Sequence, residues 1–407
     1  MPSKPDNHNI TTTAGYTAEK TVFSDIRIRK EGFLSDDVEL ISAANIVEDQ
    51  LNDATESALE TTFIGMFGRV IYDWNNRYYL TASFRRDGSS RFGSETLWGK
   101  FPSVAVAWRL SDEPFMSSFE FLDNLKFRGS YGVTGNSAIP NFRQQRIIGL
   151  NNYIFNNASA LTFEDAELFD PRLGWERTEE FNAGVDIGFF NGRLNATVDV
   201  YQRITTDMLL NVQLPDYTGY SSILQNFGEM ENRGVEVTIN ATPVTGPVLW
   251  NTSVNVSHNR NFATRLLDNE NEFIQGFNAS GFSLTRTYVD GPVSVFWGGI
   301  FDGAFNDWDE VYNEPSVFNY FGGSTFNMRN RNTHPGDLKT LDVDGDGVLT
   351  NNDRTVIGNP WPDFNWGFTN TLRWKNIDLF VQIDGIVGAE VYNVVRFEDY
   401  RQGLRGF

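Results

Sequence analysis

The chain has 407 residues, of which 33 are basic and 53 acidic, giving a net charge of −20; it has no cysteine and three histidines, His8, His258 and His334. This balance argues against nucleic acid as a partner, because neutralising phosphates takes a basic face, and the lack of cysteine excludes disulfides, thiolate metal sites and cysteine nucleophiles. The histidines are too scattered for a histidine metal site, and no apolar run approaches the roughly 18 residues of a transmembrane helix.

Alternation of apolar and polar residues dominates the chain. A first strand is expected around residues 14–30. Residues 61–74 then place Ile64, Met66, Gly68, Val70, Tyr72 and Trp74 on one parity, and Phe63, Gly65, Phe67, Arg69 and Asp73 on the other. After Asn75-Asn76, a pair that tolerates the left-handed backbone of a tight turn, Tyr78, Leu80, Ala82 and Phe84 oppose Arg77, Thr81, Ser83 and Arg85. The same two-sided pattern returns at 103–110, 125–133, 181–189, 194–200, 235–241 and 250–259. It closes with a hairpin, 366–374 and 377–383, around Lys375-Asn376, in which Asn370 interrupts an otherwise apolar face. Period-two alternation over such lengths describes a sheet with a different solvent on each face.

The connections alternate too. Links at 75–76, 191–192, 243–247 and 375–376 are short and 112–123 is moderate, whereas 88–99, 136–176, 207–230 and 262–363 are longer. Short turns on one side and long loops on the other, with aromatics such as Tyr72, Trp74, Tyr78, Trp366 and Trp374 at strand ends, predict an antiparallel transmembrane β-barrel. A soluble β-sandwich or propeller also alternates, but seldom keeps strands this long. Ten strands plus the one near the start make an odd number, whereas single-chain bacterial barrels close on an even one. The opening residues, Met1 to Asp6, lack the apolar core of a signal peptide. The expectation is therefore a barrel that is incomplete at both ends.

The longest connection carries Asp342-Val343-Asp344-Gly345-Asp346-Gly347, with Asp353 at the twelfth position. This is the spacing of an EF-hand-type loop. Asp342, Asp344 and Asp346 would converge on Ca2+, Gly347 permits the sharp turn, Val348 offers its carbonyl, Thr350 binds directly or through water, and Asp353 replaces the usual bidentate Glu. An acidic solvated turn is the alternative. A role in stiffening the loop is expected rather than catalysis. Loop aromatics Trp308, Tyr312, Tyr320, Phe321 and Trp361 could stack on sugar rings or pack the loop on itself. Glu176, Glu179 and Glu180 could be read as catalytic carboxylates, but an acidic cluster starting a strand near an interface is the better account of them. No Walker, G-x-S-x-G or H-E-x-x-H pattern occurs.

Several blocks closely resemble the SusC/RagA family of TonB-linked outer-membrane transporters. They are Gly68-Arg69-Val70-Ile71-Tyr72, the run from Tyr79 to Gly93, Phe101 to Arg109, Arg128 to Asn136, Trp175-Glu176-Arg177-Thr178, Asn226 to Glu236, and Pro335-Gly336-Asp337 with Ile357-Gly358-Asn359-Pro360. The resemblance implies part of a 22-stranded barrel, about 11 strands of it, in the outer membrane of a Gram-negative, Bacteroidota-like cell. It implies uptake of oligosaccharides or peptides, a SusD-like surface lipoprotein as lid, a TonB complex acting through an N-terminal part, and contact with outer-membrane lipid. It implies no enzymatic activity. On this reading residues 1–60 hold a partial strand and an acidic loop, 61–261 barrel strands, 262–363 a long extracellular region with the acidic loop, and 364–407 a hairpin and a cut loop. The alternative of another class is a secreted, calcium-stabilised carbohydrate-binding or adhesion β protein; a soluble glycosidase is a more distant third.

Overall fold

The computed structural model describes residues 7–28, 54–146, 148–155, 158–165, 168–220, 222–266, 273–276, 278–279, 282–313, 316–319, 324–326 and 334–395. Eleven strands make one sheet: β1 (His8–Ile28), β2 (Ala54–Trp74), β3 (Tyr78–Ser89), β4 (Trp98–Arg109), β5 (Leu122–Asn136), β6 (Glu176–Phe189), β7 (Leu194–Gln213), β8 (Ser222–Val244), β9 (Val248–Arg265), β10 (Phe364–Trp374) and β11 (Ile377–Val387). Each strand pairs antiparallel with its neighbour in chain order. Among the described residues β1 and β11 remain the two edges of this sheet.

Register turns the sequence alternation into two continuous faces. Ile10, Tyr72, Leu80, Val106, Gly129, Ala183, Val200 and Val235 fall in one cross-strand row. The adjacent row on the opposite face holds Thr11, Ile71, Thr81, Ala105, Ser130, Asn182, Tyr201, Gly234 and Asn259. Leu80, Val106, Val200 and Val235 are exposed, as are Val70, Phe84, Val104, Phe127 and Phe181 around them. An apolar band of this extent, spread over strands joined by continuous antiparallel pairing, is suited to hydrocarbon and not to water. A one-residue slip at any ladder would exchange the two faces, so burial in lipid specifies the register.

The tight turns sit where the residue types allow. Asn75 and Asn76 both take positive φ (54° and 56°), as does Asn191 with Gly192. Asn370, the break in the apolar face, is satisfied locally: Trp250 on β9 donates its Nε1–H to Asn370 Oδ1 at 3.0 Å. The polar atom is thus paired within the wall.

One expectation is corrected. The connection read at 207–230 is mostly strand, because β7 runs to Gln213 and β8 starts at Ser222. Register shifts around Gly228 and a positive φ at Asp207 interrupt the alternation there while the ladder continues. The long connection read at 262–363 does separate β9 from β10, and it carries strands of its own. Phe273–Gln275, Thr285–Tyr288, Val295–Gly299 and Arg354–Gly358 form a four-stranded sheet, and the region also holds smaller two- and three-stranded sheets. It is clamped to the end of β9, where Ala263 exchanges backbone hydrogen bonds with Asp290 (2.8 Å) and Gly291 (3.1 Å) and Asn261 Oδ1 accepts from the Val293 N–H at 2.9 Å.

Candidate functional site

The acidic loop folds around its own carboxylates. Asp342 accepts from the N–H groups of Gly345 (2.8 Å) and Gly347 (2.9 Å), and Asp346 accepts from Val348 N–H (2.7 Å). Gly345 and Gly347 have φ of 73° and 80°, the left-handed values that let the chain double back within six residues. Asp353 is only 2% exposed and accepts from the N–H groups of Val343 (2.9 Å) and Thr350 (2.6 Å), tying the two ends of the loop together.

Oxygens of Asp342, Asp344 and Asp353 lie within 4.8 Å of one another. Asp346 is not part of this convergent group; its carboxylate is turned to the Val348 amide. Burial alone would raise the Asp353 pKa, but the N–H groups of Thr350, Val343 and Asp344 outweigh it and hold the carboxyl below its usual range. At Asp344 the Asp346 N–H pulls the pKa down, yet lost hydration and the Asp346, Asp353 and Asp342 carboxylates push it up on balance. Three carboxylates that repel at close range are oxygen donors of the kind a hard cation takes.

A short helix, Trp308–Asn313, stands beside this loop. Its Val311 is fully buried against Phe305, and Leu349 from the acidic loop packs on the pair, so helix and loop share one small core. That packing turns Trp308 and Tyr312 outward. Their rings stack at 5.8 Å, and His334 meets Trp308 edge-on at 5.3 Å. Tyr320 and Phe321, grouped with them from the sequence, lie outside the described residues. Trp361 has a different task, donating its Nε1–H to the Val293 carbonyl at 2.6 Å and so fastening the late loop to the base of the insertion. Glu176, Glu179 and Glu180 make no common site: Glu179 accepts from Tyr131 Oη at 2.9 Å, Glu180 pairs with Arg203 at 2.7 Å, and Glu176 lies at the end of the β5–β6 ladder.

The polar face of the sheet carries an ion-pair network that strand-by-strand reading misses. Arg128 on β5 bonds Asp186 on β6 (3.0 Å) and Asp199 on β7 (3.0 Å). Farther along the sheet, Tyr201 lies across Gly234 and donates to Asn259 Oδ1 at 3.1 Å, while Asn259 donates to Asn232 at 3.2 Å. The available signal was opposite charges on the same parity of successive strands.

These features can be set beside known proteins. The family described as TonB dependent receptor-like, beta-barrel matches residues 6–394. A TonB-dependent receptor of Formosa agariphila is 33% identical over 408 residues, covering 95% of this chain and 38% of the relative. The TonB-dependent receptor SusC of Bacteroides thetaiotaomicron is 31% identical, covering 84% of this chain and 33% of its own length. The RagAB peptide transporter superposes with a TM-score of 0.75 at 27% identity, over 94% of this chain and 39% of that one. The chain therefore spans about two fifths of the length of the relatives it matches. With its eleven-stranded antiparallel wall and two contrasting faces, the chain belongs to the TonB-dependent receptor β-barrel family, in its SusC/RagA branch.

Proposed function

We propose that this chain supplies barrel wall and outer loops to a TonB-dependent importer in the outer membrane of a Bacteroidota-like cell, taking up an oligosaccharide or a peptide. The observation that carries this reading is the pairing of an exposed apolar face with a hydrogen-bonded, ion-paired polar face on one continuous sheet. Lipid suits the first and a water-filled interior the second. A secreted adhesion or carbohydrate-binding protein leaves the apolar band without a solvent. Energy comes through TonB, a SusD-like lipoprotein covers the long-loop end, and the wall itself has no catalytic part. The likeness to SusC and to the RagAB transporter supports the general type. Deleting the gene and measuring uptake of labelled oligosaccharides and peptides by whole cells tests this. Unchanged uptake of every substrate, together with the protein in the soluble fraction, would refute it.

In this reading the acidic loop holds Ca2+ as a structural ion through Asp342, Asp344 and Asp353, with the Val348 carbonyl and Thr350 completing the set and Asp346 joining after a change of its hydrogen bond. The support is the convergence of three carboxylates and the shared core with the Trp308 helix. Trp308 and Tyr312, held outward by that core, are the surface on which a substrate ring or an aromatic side chain would stack. Calorimetric titration of the detergent-solubilised protein with calcium checks the first point, and absence of heat at millimolar calcium would end it.

A further inference from the structure

The short-turn end of the sheet has two kinds of aromatic rim. On β2–β4 it is built from polar-tipped rings. Trp74 stacks on Tyr78 (5.1 Å) and Tyr78 on Trp108 (6.3 Å), while Glu113 accepts from Tyr78 Oη (2.5 Å) and Trp108 Nε1 (3.1 Å). Rings with one wet end belong at the headgroup level.

On β5–β7 the rim changes chemistry. The 110–121 turn and the 190–193 turn bring together Phe119, Phe121, Phe189 and Phe190, whose rings follow one another at 6.2, 6.2 and 6.1 Å. Phe115 projects from the same turn, and Phe115, Phe119, Phe121 and Phe190 are between 47% and 63% exposed. None of these rings carries a polar atom to satisfy in water. The cluster continues a face already described: Phe189 shares its parity with Ile187 and Val185, which pair with Leu125 and Phe127 of the apolar band. Phe190 is held at φ 59°, a left-handed conformation that costs a bulky side chain energy and that the Asn-Gly pair beside it adopts more readily. The fold thus maintains an exposed phenyl at a position where the backbone disfavours it.

We propose that the Phe115–Phe121 turn and Phe190 form a phenylalanine wedge that dips into the near leaflet of the membrane, so that this stretch of rim is seated in lipid instead of hanging free in the aqueous space. Lipid is the occupant because the patch is continuous with the lipid-facing band and wholly apolar, the composition that enters the acyl boundary instead of the headgroup layer. The proposal rests on the membrane-spanning reading of the wall, and the test separates the two.

Because the chain has no cysteine, single Phe119→Cys, Phe190→Cys, Val106→Cys and Asn76→Cys variants can each carry a nitroxide in the protein reconstituted into liposomes. Heat-modifiable mobility first confirms that each is folded, and Phe115→Cys replaces any variant that is not. Collision with oxygen against a water-soluble nickel chelate reports depth. The expected result is an oxygen-to-nickel ratio at 119 and 190 several-fold above that at Asn76 and close to that at Val106. Water-like ratios at 119 and 190 with a lipid-like Val106 overturn the wedge alone. A water-like Val106 overturns the membrane wall as well. Ratios at 119 and 190 that turn lipid-like only after a soluble protein fraction is added also overturn it, since they assign the patch to a protein partner.

Discussion

Arg128 on β5 reaches Asp199 on β7 at 3.0 Å although a whole strand lies between them. The strand between presents Gly184, and a Cβ there would sit 2.3 Å from the Asp199 carboxylate and 2.8 Å from the Arg128 guanidinium. Gly184 is the gap through which three strands are stitched. Arg128→Ala should lower stability by about 1 kcal/mol, since the groups are partly hydrated and water screens them. Gly184→Val should cost more, about 2 kcal/mol, because it displaces both partners and overpacks the face. Thermal loss of the heat-modifiable band ranks the two variants against wild type; an Arg128→Ala midpoint equal to wild type would show that the bridge adds nothing to the wall.

Trp250 and Asn370 make a pair whose value lies in mutual satisfaction. Trp250→Phe strands the Asn370 side chain on the lipid face and should cost about 1–3 kcal/mol. Asn370→Leu removes the polar group and should be close to neutral, and the double variant should recover most of the Trp250→Phe loss. A double-mutant cycle in denaturant measures this coupling, and additive losses would contradict it.

Glu113, 9% exposed, is held below the usual carboxylate range by hydrogen bonds from Tyr78 and Trp108, which outweigh its burial, with the Arg77 charge adding to them. A depressed folded pKa stabilises above the unfolded value, about 4.3, and that contribution disappears as pH falls through the folded value. Wild type should therefore exceed Glu113→Gln in thermal midpoint at pH 7, and the gap should close below about pH 4. A gap that stays constant across this range would remove Glu113 titration from the account.

Calcium should raise the thermal midpoint of the outer region, by a free energy of about 2.7 kcal/mol at a hundredfold excess over its dissociation constant. Asp344→Asn should abolish the increment while leaving calcium-free stability near wild type, because Asp344 is exposed. Hydrogen exchange at the Leu349 and Val311 amides with and without chelator reads this out, and identical exchange would refute a structural ion.

Trp308→Ala should weaken substrate capture by about three- to tenfold, the equivalent of about 0.5–1.5 kcal/mol for one aromatic contact. Val311, whose side chain faces the small core, serves as the folding control. Surface binding of labelled glycan and peptide to whole cells distinguishes the substrate classes as well, and wild-type binding by Trp308→Ala would remove this ring from the site.

Most of the wall was legible in the sequence because strand periodicity is local. The parity of Tyr78, Leu80, Ala82 and Phe84, or the Asn191-Gly192 turn, follows from residues two apart. The approach of Asp342, Asp344 and Asp353 was legible for the same reason, since they lie within twelve positions, whereas the turn of Asp346 toward the Val348 amide was not. Where the ladder was bulged, as around Gly228, the local signal failed and strand was read as loop.

What the sequence by itself determined is the existence of two faces, the short and long connections that alternate between strands, and an acidic Asp-Gly loop in the longest of them. Only the tertiary structure decided which side chains share a row. Trp250 and Asn370 are 120 positions apart, and Arg128 and Asp199 are 71. Periodicity says which way a side chain points, but its cross-strand neighbour depends on register across intervening chain, and register is set by the pairing of whole strands. The same reason hid the phenylalanine rim, which joins two turns that only the β5–β6 ladder brings together.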